Sequence, residues 1–166
     1  MLYFTHDYTS MTSDKNALLL GAAKLAKKHG VNNMVAVCPV EHDLAYSEDD
    51  EKSWAEIRRE HEQLALAANK NLTILNTDLV YGPRATHLVH FAAQCVAKGS
   101  IPKPFLSEKA RFNPLHYSDL ATAVKHSMNT MSAGQFAVRG SDEVSMQELV
   151  QLIEVASNKG KTPAER

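Results

Sequence analysis

The stretch from Leu72 to Pro83, Leu-Thr-Ile-Leu-Asn-Thr-Asp-Leu-Val-Tyr-Gly-Pro, constrains the fold more than any other part of the sequence. Leu72 to Leu75 is a short apolar run bounded by Asn71 and Asn76, the pattern of a buried strand. A helix-patterned segment precedes it and another follows Pro83. Helix, buried strand, loop, helix is the order of a parallel sheet with helices on its faces. Such sheets bind ligands beyond the carboxyl ends of their strands, so the loop from Asn76 to Pro83 is expected on the rim of a binding crevice.

The same grammar runs toward both ends. Leu2 to Phe4 reads as a strand, and Asp7 to Asp14 as a polar turn. From Lys15, Leu18, Leu19, Ala22, Leu25 and Ala26 recur as one helical face. Ser13 or Asp14 can cap that helix, Lys27 and Lys28 suit its last turn, and Gly30 suits its end. Met34 to Cys38 is an unbroken apolar run, hence a central strand, and Pro39 marks its exit because it lacks a ladder donor. Glu41 to Glu51 is acidic without helical periodicity and reads as an exposed loop.

Ser53 to Lys70 predicts a second helix with Trp54, Ile57, His61, Leu64 and Ala68 on one face. Ser53 and Glu56 match a capping box, and Arg58, Arg59 and Glu62 fall on the opposite face, expected to be solvated. Thr86 to Lys98 predicts a third helix closed by Gly99, and the prolines of Ile101 to Phe105 make that piece extended. Arg111 to Tyr117 reads as a short edge strand, Asp119 as the cap of a helix through about Met128, and Gly134 to Gly140 as a strand. Ser145 and Glu148 form another capping box, opening a helix to about Ser157. Residues 1–157 are thus expected to form one α/β domain, with substrate-lobe portions at 86–105 and 141–157, and residues 158–166 a flexible tail.

Charge narrows the function classes. A formal net charge of −1 gives no footprint for nucleic acid or an anionic membrane. No apolar run approaches the roughly 20 residues of a membrane span. Cys38 and Cys95 form no metal-type cluster and read as thiols of a reducing compartment. His87 and His90 lack a carboxylate partner, so no metal site is expected. Glu48 to Glu51 reads as a solvated loop, and His116 with Asp119 as a strand end followed by a helix cap. Pro102 to Phe105 reads as a plain loop or as a docking segment for a neighbour. The apolar start, Met1-Leu-Tyr-Phe, suggests a chain that begins inside a fold.

Taken together, the Val-Ala-Val-Cys strand, the acidic loop, the helix, and then Leu-Val-Tyr-Gly-Pro resemble the extended short-chain dehydrogenase/reductase family. His116-Tyr-Ser-Asp119 is similar to that family's H-V-D-D element, and Gly134 to Glu148 to its closing strand, loop and helix. The resemblance covers about Lys15 to Val155 and implies the carboxyl-terminal part of a Rossmann-type parallel sheet flanked by helices. It also implies that the amino-terminal Gly-rich βαβ unit, which grips the dinucleotide pyrophosphate, is lacking. No G-x-x-G-x-x-G occurs among the seven scattered glycines.

By the same resemblance, the cofactor side of the site falls on Cys38, Pro39, Arg58, Asn76, Thr77, Leu79 and Val80, and Arg111 falls where such proteins reach a substrate phosphate. The family's proton-transferring Ser, Tyr and Lys fall near Cys38 or Pro39, Trp54 and Arg58, and no Tyr-x-x-x-Lys occurs anywhere in the chain. Indole is no acid near neutral pH, and guanidinium holds a hydroxyl with a different geometry from ammonium. No catalytic residue is therefore assigned. Within the family the pattern is most similar to reductase-like accessory subunits of mitochondrial respiratory complex I. That similarity implies an NADPH held without turnover, shared with a partner chain that supplies the first half of the fold. It further implies other subunits of a large assembly as neighbours, and a peripheral place on the matrix side of the inner membrane. The alternative is an NAD(P)-dependent nucleotide-sugar epimerase, dehydratase or reductase.

Overall fold

The computed structural model of the protein describes residues 2–4, 13–39, 54–82, 111–145, 147–149, 151–152 and 155. In chain order the elements are β1 (Leu2–Phe4), α1 (Ser13–Lys28), β2 (Met34–Pro39), α2 (Trp54–Ala68), β3 (Leu72–Thr77) and β4 (Val80–Tyr81). They continue with β5 (Arg111–Phe112), β6 (Leu115–His116), α3 (Tyr117–Thr130), β7 (Gly134–Val138) and β8 (Val144–Ser145). The main sheet has the order β1-β2-β3-β7 and is parallel throughout. It is the α/β parallel sheet with flanking helices that the sequence pattern called for.

Alternation along the central strands decides which layer each residue joins, because successive side chains leave a strand on opposite faces. Met34, Ala36 and Cys38 of β2, with Leu72 and Ile74 of β3, pack under α1 and α2 against Leu19, Ala23, Ala26 and Ala65. Val35, Val37 and Leu75 face the other way and pack with Leu115 of β6 and Leu120 and Val124 of α3. All six residues of β3 are buried, as a strand covered on both faces requires. Each fully buried Leu or Ile of this kind contributes about 1.5–3 kcal/mol.

Polar residues stop the helices and fasten their ends. Gly30, at φ +65°, takes the left-handed position after α1, and Val31 N donates back to Ala26 O at 2.9 Å. Asn69, just beyond α2, donates from Nδ2 to Ala23 O at 3.4 Å and accepts at Oδ1 from Asn71 N at 2.9 Å, tying α2 to α1 and shaping the turn into β3. Asn33, before β2, donates from Nδ2 to Met128 O at 2.9 Å and so satisfies a carbonyl in the last turn of α3.

The helices are where the sequence pattern misplaced side chains. On α1, Leu19, Ala23 and Ala26 are buried, while Leu18 and Leu25 are exposed. Small alanines let α1 lie close to the sheet, so two leucines of the expected face end up on its flank. On α2 the correction is larger: Glu62, expected in solvent, is buried together with Ala65 and Asn69, whereas Leu64 is exposed. A carboxylate can occupy such a seam where amides donate to it, and the donors here lie on two other strands. The cap of α3 is His116 rather than Asp119, so that helix begins three residues early and runs to Thr130. The single strand expected from Arg111 to Tyr117 is two short ones, β5 and β6, interrupted at Asn113 and Pro114. The acidic loop, Ser53 of the first capping box, the third helix at Thr86 to Lys98, the proline segment and the tail lie outside the described residues.

Candidate functional site

β2 and β3 end side by side, Cys38 opposite Asn76 and Pro39 opposite Thr77, and their carboxyl ends define the rim. β3 reaches two residues farther than the apolar run alone suggests, so Asn76 and Thr77 are strand residues rather than loop residues. Both are buried, as is Asp78 just after them. Cys38 lies in the apolar layer beneath α1 and α2, in no disulfide. Leu79 and Val80 are half-buried at the start of the rim loop.

Two hydrogen bonds hold that loop against the following segment, and a third ties that segment to the stretch after β7. Asp78 Oδ2 accepts from Asn113 N at 2.9 Å, Leu79 O accepts from Leu115 N at 2.8 Å, and Asn113 O accepts from Gly140 N at 3.3 Å. They set β4 parallel to β6, with Val80 opposite Leu115 and Tyr81 opposite His116. Gly140 must be glycine for space: a Cβ there would collide with the carbonyl oxygen of Pro114. Gly82, at φ +136°, turns the chain past the ring of Tyr117, which a Cβ would also strike.

His116 closes this corner. Its ring caps α3 by accepting from Ser118 N at 3.4 Å, and its Nδ1 lies 2.7 Å from Ser118 Oγ. The ring meets Tyr81 edge-on at a centroid distance of 5.2 Å and tilts against Tyr117 at 4.6 Å. Tyr81 and Tyr117 remain exposed.

On the α1/α2 side the rim is backed by a buried polar cluster. Glu62 is 1% exposed and Asn76 8%. Glu62 Oε2 accepts from Gln135 Nε2 of β7 at 2.7 Å and from Asn76 Nδ2 of β3 at 3.5 Å. Arg58 Nε, one helical turn back, lies 3.8 Å from Glu62 Oε1. Burial pushes the Glu62 carboxyl up, while the Arg58 charge and the amide hydrogen bonds pull it partway back. Glu62 Oε1, Asn76 Oδ1 and, across the sheet, Thr77 Oγ1 are buried without a hydrogen-bond partner. The helix pattern read from sequence missed Glu62. The signal that could have found it is its spacing of one turn from Arg58 and Ala65 and two turns from Asn69.

Arg111 stands apart from that cluster. It is exposed on β5, with Nη1 3.7 Å from Glu143 and 4.0 Å from Glu148. Glu148 completes the expected capping box: its Oε2 accepts from Ser145 N at 2.7 Å, and Ser145 Oγ accepts from Glu148 N at 3.2 Å. Those bonds hold the Glu148 carboxyl below the usual carboxylate range. The structure therefore gathers Pro39, Arg58, Asn76, Thr77, Leu79 and Val80 around the ends of β2 and β3, buries Cys38 in the core beside them, and leaves Arg111 in an exposed ion pair. Among the described residues no group of three or more His, Cys, Asp or Glu is placed to hold a metal ion. Nor is any helix among them long and apolar enough to cross a membrane.

A parallel sheet with helices on both faces and a polar rim at its carboxyl edge is the Rossmann-type α/β architecture. Solved structures of nucleotide-sugar enzymes share it with this chain. A dTDP-glucose 4,6-dehydratase from Bacillus anthracis, solved in complex with NAD, matches 99% of this chain at 18% identity with a TM-score of 0.68. A dTDP-4-dehydrorhamnose reductase from Clostridium acetobutylicum matches 95% at 15% identity with a TM-score of 0.64. A UDP-N-acetylglucosamine 4-epimerase from Bacillus cereus matches 96% at 17% identity with a TM-score of 0.61. The chain spans 58%, 62% and 64% of those three proteins, respectively. No protein-family model and no curated protein matches it.

Proposed function

We propose that the chain is the part of an NAD(P)-binding protein, of the nucleotide-sugar dehydratase, epimerase or reductase type, that holds the nicotinamide end of the cofactor and the substrate. The observation that carries this reading is the match over 99% of the chain to a fold solved with NAD bound. The residues present fit one end of a dinucleotide. Thr77 Oγ1 is a buried hydroxyl without a partner at the end of β3, and Arg58 brings a guanidinium to the helix that follows β2. Pro39, Asn76, Leu79 and Val80 complete the rim. The pyrophosphate needs a grip from outside these residues, since the sequence has no Gly-rich turn. A bound nicotinamide supplies hydride transfer. Arg58 would orient ribose hydroxyls through its fixed fork of donors, and the buried rim would exclude water.

This reading calls for further sheet strands beside β1, which among the described residues pairs with β2 alone. Such an edge is a template for another strand, and we assign it to a segment or partner chain bearing the opening strands and the Gly-rich turn. A second reading is an accessory subunit of a large assembly such as mitochondrial complex I, holding NADPH on the matrix side without turnover. It is favoured by one specific observation, the absence of Tyr-x-x-x-Lys throughout the sequence.

Titration of the protein, together with the strands that complete its sheet, with NAD, NADP, their reduced forms and dTDP- or UDP-sugars tests both readings. Saturable dinucleotide binding is expected, and failure of all four dinucleotides to bind would overturn the proposal. A sugar-nucleotide-dependent change in nicotinamide absorbance selects the enzyme. Dinucleotide held through repeated dialysis with no such change selects the accessory subunit.

A further inference from the structure

Glu62 presents an unusual combination. It sits in the seam between α2 and the sheet, 1% exposed, and joins three elements that are distant in sequence. Its Oε2 already accepts two amide hydrogens, from Gln135 of β7 and Asn76 of β3. Its Oε1 accepts none, and Asn76 Oδ1, on the same amide that donates to Oε2, also accepts none. Two buried acceptors with no donor are costly side by side. A carboxylic acid and a primary amide can close a ring of two hydrogen bonds: amide N–H to one carboxyl oxygen, carboxyl O–H to the amide oxygen. Half of that ring is present here. One proton on Glu62 Oε1, donated to Asn76 Oδ1, supplies the other half and satisfies both acceptors at once.

We propose that Glu62 is a buried proton site: the folded protein carries this side chain as a neutral acid that fastens α2 to β3 and β7 through Asn76 and Gln135. The groups facing it fit that assignment. β3 and β7 approach it with the uncharged Asn76 and Gln135, and β2 brings Cys38 beside Asn76 in register. The charged neighbours, Arg58 and Arg59, are both on α2 itself. α1 turns Lys24, Lys27 and Lys28 to solvent. Arg58 Nε at 3.8 Å is too far for a hydrogen bond to Oε1, so the cation does not relieve the orphaned oxygen in this arrangement. Desolvation is the largest influence on the carboxyl and acts in the same direction. Losing the proton would hand Oε1 to Arg58 and break the ring to Asn76, loosening the tie between α2 and β3 next to the rim, while Gln135 of β7 keeps its bond to Oε2. The proton site stands whether or not a dinucleotide binds there.

The test is the pH dependence of folding stability in the intact protein and in Glu62→Gln, which mimics the neutral acid by donating from its amide to Asn76 and accepting at its oxygen. A group held protonated in the folded state stabilises fully below the ordinary carboxylate range, and that contribution is lost as pH rises through the group's raised value. The folding equilibrium constant of the wild type should therefore fall by about tenfold per pH unit relative to the Gln variant across that window, one proton's worth. A ratio independent of pH would mean that a trapped water fills the gap. A ratio moving in favour of the wild type with rising pH would mean that the ionised Glu62–Arg58 pair is the native state. Either result overturns the proposal. If the variant does not fold, infrared spectroscopy of the wild type still decides: a protonated-carboxyl stretch persisting above the ordinary carboxylate range supports the site, and its absence there removes it.

Discussion

Replacing Asp78 with Ala should release the rim loop. Asp78 is 1% exposed, and its Oδ2 holds Asn113 N at 2.9 Å, so the substitution removes a charge-assisted bond and strands a half-buried amide. A hydrogen bond to a charged group contributes about 1.5–3 kcal/mol, and an orphaned donor costs about 1–3 kcal/mol more only where water cannot reach it. Because Asn113 is half-buried, water recovers part of the second cost, and the expected loss is about 2–3 kcal/mol. For a chain of this length each kcal/mol moves the midpoint by about 2–4 °C, which gives a fall in Tm of roughly 4–12 °C. Asp78→Asn keeps an acceptor without the charge and should lose about half as much. Calorimetry measures the shift, and hydrogen exchange reads its origin: the Asn113 and Leu115 amides should exchange faster while those of β2 and β3 keep their protection. Unchanged Tm together with unchanged exchange at Asn113 would refute the role given to this carboxylate.

Gly140→Ala drives a Cβ into the Pro114 carbonyl and should destabilise by about 1–3 kcal/mol, read by chemical denaturation. Met131→Gly should do the opposite: Met131 ends α3 in the left-handed region at φ 51°, and glycine there should gain roughly 0.5–1 kcal/mol after its larger unfolded-state entropy is subtracted. Trp54→Tyr combined with Arg58→Lys places a phenol and an ammonium one turn apart on α2. Dinucleotide-dependent turnover should then rise above whatever the wild type shows. A double variant that binds the dinucleotide and shows no such rise would remove both residues from the site.

The sheet was readable because its strands carry the least ambiguous signal. Met34 to Cys38 is an unbroken apolar run and Leu72 to Leu75 a short one interrupted only by Thr73, and each is central and buried. Gly30 and the Ser145–Glu148 box also acted as their local chemistry predicts. Helix orientation was less readable. A period of 3.6 finds a helix, but when leucines and alanines are spread around it the period does not say which stripe faces the sheet. Leu18, Leu25 and Leu64 drew the expected faces toward themselves, while Ala23, Ala26 and Ala65 made the close contacts. Glu62 was invisible for a related reason. A buried acid is legible only through its partners, and Asn76 and Gln135 are 14 and 73 residues away. The short strands β4 to β6 depend on Asp78 reaching Asn113, a pairing with no local pattern. The cap of α3 moved to His116 because its ring accepts from Ser118 N, a role that spacing alone assigned to Asp119.

Native mass spectrometry of the protein purified from its source tests the central claim most directly, because it weighs the chain together with whatever it holds. The account predicts a dinucleotide retained at one per chain, along with the strands that extend the sheet beyond β1, whether on a longer polypeptide or a second one. A bare 166-residue monomer that carries no nucleotide and unfolds cooperatively by itself would contradict it.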